Sequence, residues 1–504
     1  MILNIGLGVL LQMIVASKFG ASAEKDAFDT AFLIPSTIMY FTGLDIFRQT
    51  GTTFFSRLSA IKELNVSKIF SSLFLIILIG SIIISVVASL FASQLVVFSA
   101  PGLDETNLLL AEKLLIILLF TLPPLSLSAY LSSIQNAYYF FGSAEIGQVV
   151  SKTLPIVGLL WFPNATLEFL AWFQLSAAYI SLLVQYFLFR RTNLHLSFHV
   201  GVNEQHVRDF FYQSRYLIVG TASTQIVRMY VNNLASQAGD GIIATLNYAM
   251  MLNFLFVALV GRPLGRVVGP SLIRSIVKEN KSESSIQAYD ALKLAVWIST
   301  PIIVFVMIFR FPIIKILFER GEFGADAVKL TANFFLVLSF GAIAQNISSL
   351  LGFTLLTNVR SKATVIMHLS GSVFHALFLF FGINFVGILA FPLSFAMTAF
   401  YKCIFVIYYL YSILHIKPFF GVFRWVIRQS LLMVVLSLFL LAFKNQFLCQ
   451  VNSPLLNILL IVACFFLSMI IYLLLGYFFG VPETQKILLK MKKTMLNLSR
   501  LRRN

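Results

Sequence analysis

Seven ionisable residues sit inside long apolar runs of this chain: Asp29, Asp45, Arg48, Arg228, Arg262, Arg266 and Lys402. A charge in hydrocarbon is costly, so such groups face a cavity, a charged partner or the headgroup layer. Cations outnumber anions in this set, which suits an anionic ligand better than a cationic one. Arg262 and Arg266 are spaced i, i+4 and project from one helix face. Gly261, Pro263 and Gly265 around them loosen the helix and let a ligand come close. Arg228, in the preceding run, lies beside Gln225, Asn232 and Asn233. A guanidinium meets phosphate oxygens through two parallel N–H donors and stays charged. The chemistry expected of these arginines is therefore binding of a phosphate group within the membrane. The competing reading is that they snorkel to the headgroups or pair with Asp29 and Asp45. For Arg48 a pair with Asp45 weighs as much as ligand binding, and Lys402 is also explained by snorkelling.

The elements that must hold these residues follow from composition. Of 504 residues, 59% are hydrophobic and only 11% are charged, with a mean hydropathy of +0.90. A soluble domain carries roughly 25% charged residues, so this chain cannot cover a water-facing surface. Its apolar runs approach the length of about 20 residues that crosses a bilayer as a helix, without the alternation of a β-barrel. The class is an all-α integral membrane protein with about fourteen transmembrane helices, the second, third and fourth expected near 28–55, 69–98 and 108–135, with Pro123–Pro124 breaking the fourth. The net charge of +17 resides mostly in short loops and the tail, where topology and anionic lipid explain it, so no nucleic-acid partner is expected. Cys403, Cys449 and Cys464 have no metal spacing and read as small core residues; no cofactor or metal is implied. His368 and His375, two turns apart, read as a polar helix contact. Asn136, Gln148 and Lys152 either line a cavity or hydrogen-bond between helices. The first apolar run lacks a basic leader and reads as a spanning helix.

Loop charge alternates. Arg57, Lys62 and Lys68; Arg190, Arg191 and Arg208; Arg274, Lys278 and Lys281; Arg360 and Lys362; and Lys417, Arg424 and Arg428 form one cationic set, with a basic tail. The other set is cation-poor and includes Asp104, Glu105 and Asp240; Lys18, Lys25, Lys315, Arg320 and Lys444 are its exceptions. The positive-inside rule places the first set and both termini in the cytoplasm, as an even number of spans requires. The stretch from Ala111 recurs in outline from Ala327, 216 residues on, after loops reading "APGLDETN" and "ERGEFGAD". "FGASAEKDAF" likewise resembles "LASQAGDGII". Two six-helix lobes account for this repeat: 1–190 and 210–411, joined by a cytoplasmic linker at 191–209 with a short amphipathic piece. A two-helix unit (412–482) and a basic cytoplasmic tail (483–504) follow.

The segment Ile14–Pro35, "IVASKFGASAEKDAFDTAFLIP", resembles the opening signature of the lipid II flippase (MurJ/MviN) family, through Phe19, Gly20, Ala21, Asp26, Ala27, Phe28, Ala31, Phe32 and Pro35. "GRPLGRVVGPSLIRS" and "ILFERGEFGADAVKLTA" resemble two further stretches of that family. The family belongs to the multidrug/oligosaccharidyl-lipid/polysaccharide exporter superfamily. The resemblance implies two lobes in a V-shaped arrangement, with the C-terminal helix pair shaping a groove for a lipid tail. It implies a transporter, not an enzyme, that flips a polyprenyl-diphosphate-linked saccharide across the bacterial inner membrane by alternating access. The substrate is of the undecaprenyl-diphosphate type, and membrane lipids and cell-envelope glycan synthesis enzymes are the expected partners. Where the family carries cavity arginines this chain has Ile5, Leu11, Met39 (beside Tyr40) and Met251, and the family's acidic partner reads Gln12. Asp26 keeps its motif position, and Asp26, Asp29 and Asp45 are candidates for coupling. Arg262, Arg266, Arg228 and Arg48 are the candidates to replace the missing cations. The missing arginines tilt the cargo toward a capsule, O-antigen or exopolysaccharide unit over lipid II. A drug/cation antiporter on the same fold would call for carboxylates in the cavity, and a glycan polymerase for a large loop or catalytic cluster; the sequence favours neither.

Overall fold

A computed structural model describes residues 2–45, 47–59, 66–140, 142–191, 205–278, 281–357, 361–414, 422–447 and 454–485. The side chains of Arg48, Arg262 and Arg266 lie outside that description, as do Cys449, most of the inter-lobe linker and the tail from 486. No strand occurs among the described residues. The first helices are α1 (Ile2–Phe19), α2 (Ala23–Thr42), α3 (Thr52–Ser59), α4 (Val66–Leu90), α5 (Ala92–Ser99), α6 (Glu105–Leu119), α7 (Leu122–Ala137), α8 (Gly142–Trp161) and α9 (Leu167–Arg190). There follow α10 (Gln205–Ser236), α11 (Ile242–Val277), α12 (Lys281–Phe318), α13 (Ala325–Thr357), α14 (Ser361–Val386), α15 (Ala390–Leu414), α16 (Val422–Phe447) and α17 (Pro454–Phe478). Eight stretches among the described residues are long and apolar enough to cross a membrane, and Leu3–Phe19 and Ile242–Ala258 are shorter apolar helices. The helices α2, α8 and α10 do not qualify, because each carries charged or amide side chains along its length.

Three expected spans are divided. The run expected at 28–55 is α2, then a π-helical turn at Phe47–Gly51, then α3; α2 ends at Gly43, whose φ of 74° is left-handed. The run at 108–135 breaks at Phe120–Thr121, because Pro123 and Pro124 occupy the first turn of α7, where a missing N–H costs nothing. The run at 69–98 breaks at Phe91. Helix α2 starts at Ser22, whose side chain accepts from the Lys25 N–H at 3.2 Å.

The chain packs as two compact units. The first comprises residues 1–248, 318–327 and 361–391. Its core includes a buried aromatic cluster in which Phe47 stacks on Phe210 at 4.6 Å and meets Tyr130 edge-on at 5.2 Å. The Tyr130 hydroxyl donates to the Phe70 carbonyl at 2.6 Å, so its one polar atom is satisfied. Gln148 and Lys152 are used between helices: Asn4 donates to Gln148, and the Lys152 ammonium donates to the Asn4 carbonyl at 2.7 Å.

The second unit comprises 249–317, 328–360 and 392–504. Here α16 and α17 pack on α12 through Leu432, Leu436, Leu440, Cys464 and Tyr472 against Val304, Phe305 and Phe309. Residues past the expected end of this pair are also packed in: Trp425 donates to Glu483 at 2.9 Å and Trp297 to Thr484 at 3.0 Å. Both acceptors are buried, so the ordered chain continues beyond residue 482. Cys403 and Cys464 are free and buried.

Candidate functional site

Asp26 stands in the first turn of α2 and is 1% exposed. Its two carboxylate oxygens accept from the backbone N–H groups of Gly241 and Ala244, each at 2.7 Å. The first N–H groups of a helix have no partner inside it and carry partial positive charge. Asp26 therefore caps α11 from another helix. Each such bond to a charged acceptor contributes about 1.5–3 kcal/mol.

Two loops close the same end of the unit, and they do so reciprocally. Gly102, between α5 and α6, lies against the backbone of Ser236 at the end of α10, and its N–H donates to the Ser236 hydroxyl at 3.1 Å. Gly321, between α12 and α13, lies against the Ser17 carbonyl at the end of α1, which accepts from the Glu322 N–H at 3.0 Å. Both pairs are related by 219 residues: Gly102 to Gly321, and Ser17 to Ser236. A methyl group at either glycine would collide with main chain, and Gly321 also has a φ of +58°. This offset of 219 differs by about one helical turn from the apolar match at 216, and an apolar helix resembles itself when shifted by a turn. Tyr248 joins this junction by donating to the Gly20 carbonyl at 3.2 Å.

Beside the junction runs the seam between α2 and α10. Asn232 donates to the Thr30 hydroxyl at 3.0 Å and to the Ser99 carbonyl at 3.1 Å. Further along, Gly43 meets Ile218. These two contacts fix the helices antiparallel. Arg228 is one turn before Asn232 on the same face, about 12 Å along α10 from Ser236. It stands opposite the middle turns of α2, yet it is exposed. Asp29 and Tyr40, on α2 to either side of that level, are within its electrostatic reach. Nearer the Gly43 end a narrow opening is lined by Met39, Tyr40, Asp45 and Thr221 among others.

Lys25 is the functional candidate that sequence reasoning missed, having been assigned to a loop. It lies in the first turn of α2 and is 2% exposed. Its ammonium meets Asp29 Oδ1 at 2.5 Å and sits over the rings of Phe28 and Tyr248 at 5.5 and 5.3 Å. The i, i+4 spacing of Lys25 and Asp29 was the available signal. Asp29 is thus brought together with Lys25 and Arg228, while Asp26 serves α11 and Asp45 is buried just past α2. Leu11 and Met39 belong to the apolar core. Arg262 and Arg266 lie on α11 near Gly261, whose neighbour is Asn346 of α13. Arg48 lies in the π-helical turn, and Lys402 is half-buried on α15. Among the described residues no cluster of His, Cys, Asp and Glu could hold a metal ion.

Comparison with known proteins agrees with this architecture. The family model described as "Lipid II flippase MurJ" matches residues 15–459. A probable lipid II flippase MurJ of Buchnera aphidicola subsp. Baizongia pistaciae is 25% identical over 369 residues, covering 71% of this chain and 72% of the relative. One from Rhizobium meliloti is 21% identical over 347 residues, covering 66% of this chain; the match spans 64% of that relative's own length. A solved structure, "Lipid II flippase MurJ, inward closed conformation", superposes with a TM-score of 0.75 at 19% identity, covering 93% of this chain and 96% of that one, and so shares the fold. The family is one of flippases and not of enzymes. With most of its length matched by the family model, this multi-pass membrane protein belongs to the lipid II flippase MurJ family.

Proposed function

We propose that this chain flips lipid II, a polyprenyl-diphosphate-linked saccharide, across the bacterial inner membrane by alternating access between two six-helix lobes. The observation that carries the reading is Arg228: an exposed guanidinium opposite the middle of α2, in a helix too polar to count as an apolar span. A diphosphate must leave the headgroup layer to cross, and a bare anion in hydrocarbon is prohibitively unstable. A fixed cation on that helix offsets that cost and still lets the ligand go. Arg262, Arg266 and Arg48 are proposed as further cations for the diphosphate, and the C-terminal pair α16–α17 to guide the lipid tail. Both termini are proposed to be cytoplasmic, which puts the Asp26 junction at the outer face.

The test is translocation of fluorescent lipid II in liposomes, together with rescue of a bacterium depleted of its own lipid II flippase. Both should succeed. Failure with lipid II alongside transport of another diphosphate-linked saccharide would overturn the cargo and keep the transporter. Cysteine labelling from outside the cell at position 240, and not at 281, is expected; the reverse pattern would invert the orientation.

A further inference from the structure

Three charged groups lie along the α2–α10 seam, Lys25, Asp29 and Arg228, and only Asp29 is an anion. Lys25 is locked between two aromatic rings and touches one oxygen of Asp29. The other oxygen, Oδ2, is buried and has no hydrogen-bond partner among the described residues. Asp26, the neighbouring carboxylate, cannot serve the seam, because both of its oxygens are taken by the α11 N–H groups. Arg228 lies about one to two turns of α2 from Asp29, as the Asn232–Thr30 bond fixes the register, and it alone of the two cations is exposed. Two cations thus lie near one carboxylate, Lys25 in contact with it and Arg228 within its electrostatic reach, and its second oxygen is buried and without a hydrogen-bond partner among the described residues.

We propose that Asp29 is a positioning residue that acts as an internal counter-anion: it partly neutralises Arg228 when no substrate is bound and competes with a lipid-borne diphosphate for it. The proposal rests on the flippase reading above and adds the device that sets affinity at that site. Lys25 holds the carboxylate against α2, so it cannot swing out to pair fully with Arg228. A diphosphate arriving at Arg228 therefore meets a net positive site weakened by a fixed negative neighbour. Binding is held moderate and release stays fast, which a transporter needs and a receptor does not. A carboxylate at this distance, in partly wet surroundings, changes the affinity for an anion by about tenfold.

The experiment measures binding of undecaprenyl diphosphate to the full chain in lipid nanodiscs, and flipping of lipid II in liposomes. Asp29→Asn keeps the shape and removes the charge. It should lower Kd about tenfold and slow flipping through slower release. In an Arg228→Ala background the same change should alter Kd by less than about twofold, since the group that Asp29 opposes is gone. Asp29→Glu, which keeps the charge and tests the site should the Asn variant fold poorly, should bind within about threefold of the parent. An Asp29→Asn Kd equal to or weaker than the parent's, an equal tightening with and without Arg228, or an Asp29→Glu Kd as tight as that expected of Asp29→Asn would overturn the proposal. A parent protein that neither binds the diphosphate nor flips lipid II would instead overturn the flippase reading beneath it.

Discussion

The Asp26 junction and the α2–α10 seam lie side by side in the first unit and use polar groups in opposite ways. Asp26 gives both oxygens to α11, and the loops at Gly102 and Gly321 bring main chain against main chain. At the seam Arg228 stays exposed, and Asp29 keeps one oxygen without a donor among the described residues. The difference separates two jobs on one pair of helices. A committed network raises stability and defines one closed arrangement, whereas an uncommitted cation raises affinity for something that arrives from outside. The comparison predicts that substitutions at the junction are read in stability and those at the seam in transport.

The largest stability loss should come from Gly321→Val. The backbone there has positive φ and touches the Ser17 carbonyl, so strain and steric conflict together should cost about 3 kcal/mol or more. A melt in detergent would show it; an unchanged midpoint would mean that the loop docks elsewhere. Asp26→Asn comes next. The amide still presents one oxygen, but a charge-assisted bond to Gly241 or Ala244 is lost, at about 2 kcal/mol. Ser236→Ala removes the acceptor of the Gly102 N–H and should cost about 1 kcal/mol. Its symmetry mate offers a sharper comparison: Ser17→Ala leaves the main-chain bond from Glu322 in place and should cost less. Arg228→Ala should be the smallest, within about 0.5 kcal/mol, as for an exposed side chain away from packing.

Membrane class, helical architecture and family were legible because hydropathy and loop charge act over whole segments, and because the Asp26 motif is local. The break at Pro123–Pro124 was legible for the same reason, as proline acts on its own turn. The break at Gly43 was not: apolar residues run on through it, and only the left-handed backbone stops the helix. Lys25 was misplaced because a lysine near a helix start looks like a loop residue until the rings of Phe28 and Tyr248 are seen to enclose it. The offset of 219 that relates the Gly102 and Gly321 contacts was not legible, since apolar helices match themselves one turn apart. The reciprocity of Gly102 and Gly321 needs contacts distant in sequence, which no local pattern contains.

The most direct test of a cationic seam is lipid II flipping by Arg228 variants at matched membrane insertion and matched thermal stability. Arg228→Ala should lower the rate by at least about tenfold, and Arg228→Lys should retain a partial rate, because charge survives while the two-pronged donor is lost. Full transport by Arg228→Ala in well-folded protein would contradict the account.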